Sequence, residues 1–167
     1  MHQTFMRIDE ALFDRVFQPL CNSMADRFGI GRGATACYCL DIACLGWIIS
    51  RAPGLSDDVM AWDAFPATCQ AVILLVGLAG LTALRFLFRR PLRRGHGNPL
   101  RLSMRPHRAI LLLMLIARLV QAPGFDLADI ADLGMLLFTA TALYIGACAE
   151  RPPVRRVANR LANASAT

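Results

Sequence analysis

Residues 66–88 read PATCQAVILLVGLAGLTALRFLF, and positions 71–84 within them carry no charge. A helix rises about 1.5 Å per residue, and crossing a hydrocarbon core takes roughly 17–25 residues, so this run spans a membrane. Working outward from it, three more apolar runs are long enough or nearly so: 33–50, 109–125 and 133–149. The run 109–125 is the weakest, because Arg118 interrupts it and Pro123-Gly124 close it; a re-entrant or tilted segment is the alternative there. Composition agrees. The 167 residues are 56% hydrophobic and 18% charged, against roughly 25% charged in a soluble domain, and mean hydropathy is +0.45. The expected fold class is all-α: an integral membrane four-helix bundle of two helical hairpins, with an N-terminal amphipathic interfacial helix. Residues 1–32 form the arm and joint, 33–149 the membrane domain and 150–167 a basic tail.

Charge sets the expected threading. All 18 basic residues are arginine, which removes chemistry that needs lysine, such as a phosphate-loop lysine or a Schiff base. Between the second and third runs lie Arg89, Arg90, Arg93, Arg94, Arg101, Arg105 and Arg108 with no acid among them. After the fourth come Arg151, Arg155, Arg156 and Arg160 against Glu150. The other two connections are acidic, with Asp57, Asp58 and Asp63 in one and Asp126, Asp129 and Asp132 in the other. Arginine-rich short loops stay cytoplasmic, so both termini are expected inside, in a bacterial inner membrane. The N-terminal stretch mixes acids and bases and precedes the first apolar run, so no cleavable leader is expected.

Two turns share a form. Ala52-Pro53-Gly54 and Ala122-Pro123-Gly124 each end an apolar run, and each is followed by a polar, acidic helix start: Ser56 with Asp57 and Asp58, then Asp126 with Asp129. The echo fits two duplicated hairpins or ordinary turn chemistry. Ahead of the first run, Ile8, Leu12, Val16, Leu20 and Met24 recur at helical spacing with Phe13, Phe17 and Phe28 beside them. This amphipathic helix, bent at Pro19 and ending near Gly29-Ile30-Gly31, is expected to lie in the interface, under the bundle, or against a partner. Its partner-facing side is Leu12, Phe13, Val16, Phe17, Leu20 and Met24.

Asp41 and Arg118 stand inside apolar runs, where a charge costs about 2.5–3.5 kcal/mol on insertion scales. Counted from Arg32 and Arg108, both lie roughly 14–15 Å in, so an ion pair between them is expected, serving as a docking contact or a coupling site. Arg85 sits near the boundary and is expected to snorkel without a partner. Cys37, Asp41 and Cys44 share one helix face, but the spans hold no histidine and structural sites normally take four ligands; no metal and no cofactor is expected. The basic connection from Arg89 to Arg108 suits anionic lipid headgroups or an acidic partner, and without aromatics to stack bases it does not suit nucleic acid. No zinc-protease helix, nucleophile elbow or phosphate loop occurs, so no enzyme is expected. The functional expectation is a non-enzymatic accessory or scaffold subunit, bound to other membrane subunits or to copies of itself. Its rivals are a small oligomeric transporter or channel using Asp41 and Arg118, and a small pore former.

Overall fold

The computed structural model describes residues 2–61, 64–89, 98–121 and 126–149, and all regular structure among them is helical. The arm is α1 (His2–Leu12), a π turn (Phe13–Phe17) and α2 (Gln18–Phe28). The remaining helices are α3 (Arg32–Met60), α4 (Ala64–Arg89), the short α5 (Leu100–Ser103), α6 (Arg105–Gln121) and α7 (Leu127–Ala147). Three of them, α3, α4 and α7, are long and apolar enough to cross a membrane; α6 has 17 residues. This is a membrane protein built from transmembrane helices.

Helix α3 is the central member, packing on α7 along one face and on α4 along another, while α6 packs on α7. Small residues let the backbones approach, as packing between helices in lipid requires. A Cβ on Gly33 would stand 2.8 Å from the carbonyl oxygen of Phe88 in α4, and one on Gly46 would stand 2.8 Å from that of Ala131 in α7. Between them Ala36, Leu40 and Ala43 are fully buried. Further along α4, Gly77 lies beneath the Trp47 indole, whose Nε1 donates to the Leu74 carbonyl at 3.1 Å. These contacts pair the start of α3 with the end of α4. They also pair the start of α3 with the end of α7, where Arg32 donates to the Gly146 carbonyl.

The end of α7 is held by side chains from three other segments. The last carbonyls of a helix have no partner within it. Here Asn98 Nδ2 donates to the carbonyls of Gly146 at 2.9 Å and Cys148 at 3.1 Å, alongside the Arg32 contact. The Gln18 side chain brackets Ala149, accepting from its amide at 3.0 Å and donating to its carbonyl at 3.4 Å. A cation near a helix C-terminus also suits the dipole. The arm therefore sits across the end of the bundle at which α3 and α6 begin and α4 and α7 finish.

Two sequence expectations change. Ala52-Pro53-Gly54 is not a turn: α3 runs through Pro53 to Met60, and Ser56, Asp57 and Asp58 lie inside it rather than at a new start. Proline removes one hydrogen bond and crowds the carbonyl four residues earlier, here that of Ile49, yet the helix continues across it, and the serines on either side bond other carbonyls of the same helix. Ser50 Oγ donates to the Trp47 carbonyl at 3.1 Å and Ser56 Oγ to that of Pro53 at 2.8 Å. The second proposed turn, Ala122-Pro123-Gly124, lies outside the described residues, yet the cap after it forms as read. Asp126 is the N-cap of α7 and accepts from the Asp129 amide at 2.7 Å. In the arm, the distortion ahead of Pro19 is the π turn, with Pro19 in the first turn of α2. Gly29 ends α2 in the left-handed region at φ 67°, a conformation glycine adopts without steric cost.

Candidate functional site

Charged residues meet between helices at three levels, and the arrangement differs from the one that depth alone implies. At the arm end, Asp9 of α1 is 4% exposed and Arg108 of α6 is 1% exposed. Their contact is a two-pronged fork, Nε to Oδ1 at 3.1 Å and Nη2 to Oδ2 at 2.8 Å. Tyr144 of α7 donates its hydroxyl to Asp9 Oδ1 at 2.7 Å, and Arg105 Nε stands 3.5 Å from Oδ2. Arg108 Nη2 also donates to the Arg101 carbonyl at 3.0 Å, and its guanidinium lies 5.1 Å from the centre of the Tyr144 ring. The other face of Tyr144 belongs to the arm, with Phe17 stacked on it at 4.5 Å between centroids. One arm carboxylate thus ties α1 to α6 and α7.

Burial by itself would push the Asp9 carboxyl up. The hydrogen bonds from Arg108 and Tyr144 and the charges of Arg108 and Arg105 outweigh it and hold the group below its ordinary 3.8. Both oxygens are occupied, so this carboxylate is an ionised clamp rather than an acid or base. Asp14 to Arg101 at 3.0 Å and Glu10 to Arg105 at 2.7 Å continue the contact on its exposed rim.

In the membrane segment, Asp41 does not meet Arg118. It pairs with Arg85 of α4, which therefore has a partner instead of snorkelling alone. Arg118 binds Asp132 of α7, Nε to Oδ2 at 3.0 Å, and Asp132 is 3.8 Å from Arg51 of α3 on its other oxygen. Arg51 in turn lies 4.5 Å over the Trp47 ring. The depth count placed Asp41 and Arg118 at one level, but equal depth says nothing about direction around the helix axis. Asp41 faces α4, and Arg118 faces the neighbour of its own helix, α7. Asp132, read as one of a set of outer loop acids, is instead a buried residue inside α7.

The remaining site expectations divide in the same way. Among the arm residues, Phe13 is buried and Leu12 and Phe17 pack on the core, so they face this chain and not a partner. Val16 and Leu20 remain 49% and 44% exposed, and Met24 is half-buried. Of the basic connection, Arg108, Arg105 and Arg101 are committed to arm carboxylates, which takes Arg108 in particular out of reach of any lipid headgroup. Arg89 is exposed; Arg90, Arg93 and Arg94 and the tail beyond Ala149 lie outside the described residues. Sequence reading missed Asp9 and Tyr144 as members of a cluster, and beside the like-charged Glu10 nothing in the sequence set Asp9 apart. No family model matches the chain, and no curated protein or solved structure matches it either.

Proposed function

We propose that this chain is a non-enzymatic accessory or scaffold subunit of a larger assembly in a bacterial inner membrane. In this reading it has four spans, with α6 as the third, and both termini are cytoplasmic by the distribution of arginine. The observation that carries the reading is the arm. Its inner side is fixed to the bundle by Asp9, Phe13 and Phe17, while Ile8, Val16 and Leu20 stay 49%, 49% and 44% exposed on its outer side. A rigid helix offering an apolar strip at the membrane boundary suits contact with another subunit. The charges within the membrane segment support the same reading, because Asp41 and Asp132 each spend themselves on arginines of neighbouring helices, which favours a static framework.

The test is purification in gentle detergent from the native membrane, followed by native mass measurement. The expected result is a fixed ratio of discrete partner proteins, lost in Val16→Asp and Leu20→Asp variants whose melting temperature is unchanged. A homo-oligomer with no other protein would overturn the reading. It would favour the transporter alternative, for which Asp41→Asn is the decisive variant.

A further inference from the structure

Between the start of α3 and the end of α4 lies a cavity of about 440 Å³ lined by Gly33, Tyr38, Asp41, Arg85, Phe88 and Arg89, among others. We propose that this cavity binds a phosphate group, with the headgroup of an anionic phospholipid as the source. The site is built from three arginines, Arg32 at the start of α3 and two that lie one turn apart on α4. Residues four apart share a helix face, so Arg85 and Arg89 address the same space. Arg85 gives Nη1 to Asp41, and its side chain as a whole stays 38% exposed, so the guanidinium is open to the cavity. Arg89 is exposed and makes no ion pair or hydrogen bond among the described residues.

The backbone wall adds to this. Gly31 caps α3 with no side-chain hydrogen bond, so the positive end of that helix is not neutralised by a residue of its own. Gly33 keeps α3 close against the Phe88 carbonyl, which brings the helix start beside the two arginines of α4. Among the lining residues Tyr38 is 63% exposed, an apolar ring against which an acyl chain can lie.

Charge selects the ligand. Three arginines, Arg32, Arg85 and Arg89, line the cavity against the one carboxylate of Asp41, so its lining is net positive and suits the phosphate of an anionic headgroup. Asp41 and the ligand also compete for Arg85. Removing the carboxylate should therefore tighten binding, whereas a purely structural role for the ion pair predicts loss.

The experiment is native mass measurement of the intact protein after transfer into micelles doped with phosphatidylglycerol or with phosphatidylcholine. A parallel thermal-shift series uses inorganic phosphate. One retained phosphatidylglycerol, absent with phosphatidylcholine, is expected. Arg89→Gln should weaken retention by roughly tenfold or more, the effect of one charge-assisted contact, and Asp41→Asn should strengthen it. Arg15→Gln, which removes the same charge from the exposed side of the arm, should leave it unchanged. Stabilisation by inorganic phosphate to the same extent, lost in Arg89→Gln, would support the phosphate site with a free anion as its source. Equal retention of the two lipids with no phosphate effect overturns the proposal, as does an Arg15→Gln loss equal to that of Arg89→Gln. Because Arg89 makes no ion pair or hydrogen bond among the described residues, its variant remains informative even if Asp41→Asn fails to fold.

Discussion

A buried ionised carboxylate survives only when its partners replace the water it gave up. Asp9 has four such contacts, from Arg108, Tyr144 and Arg105. Asp9→Asn leaves the Arg108 guanidinium buried without its counter-charge and should cost about 3–5 kcal/mol, read as a lower melting temperature and faster proteolysis within 1–28. The pH dependence follows from the depressed carboxyl. Its contribution is fully present above the unfolded value near 3.8 and fades as pH falls through the lower folded value. Melting curves should therefore be insensitive to this group from pH 8 to 5 and fall in acid, with the acid loss absent from Asp9→Asn. For the pair in the membrane segment, Asp41→Arg should destabilise, and adding Arg85→Asp should restore much of the loss. Adding Arg118→Asp should restore none, since Arg118 lies against Asp132. The price of charge in an apolar run was legible in the residues themselves. Which partner each one takes was not, because azimuth around a helix depends on packing across the whole bundle.

Helix length was legible within two residues at either end of α4, read as 66–88 and formed as Ala64–Arg89. Helix α7 instead begins at Leu127, six residues ahead of the apolar run read from 133, because its polar first turns belong to the helix. Pro53 shows where that reading stops. A proline punctuates a sequence, but inside a long helix it removes one hydrogen bond and the chain continues through it. Tight approach between elements was also invisible in advance, since glycine looks alike whether it touches a backbone or faces lipid. The two cases should separate on substitution. Gly33→Ala drives a methyl towards the Phe88 carbonyl oxygen, 2.8 Å away, and should lose about 1–3 kcal/mol by overpacking. Gly80→Ala, with nothing within 4 Å of the new atom, should gain about 0.5–1 kcal/mol in helix stability. Thermal melts of the two variants side by side measure both.

At the level of the whole molecule, the helical class and the membrane setting followed from runs such as 71–84, whereas the union of arm and bundle needed coordinates. The arm pattern showed only that one side was apolar. It could not show that Phe13 and Phe17 turn inward while Val16 and Leu20 stay out, because the π turn shifts the register between them. A fluorescent protein fused after Thr167 should fold and fluoresce, as expected on the cytoplasmic side, and a dark fusion with a successful periplasmic reporter would reverse the threading.

Asp9 is bound by residues 99 and 135 positions later in the chain, and that separation imposes an order in time. The arm leaves the ribosome before α6 and α7 and can seat only after α6 and almost all of α7 have been made. Until then Asp9 and Phe17 have nothing to close upon, and the newly made helices are without their cover. The arm is thus made before the helices it closes upon, and its docking reports that α6 and α7 are in place. A quality-control protease acting on the loose arm would remove molecules in which the final helix failed to enter the membrane.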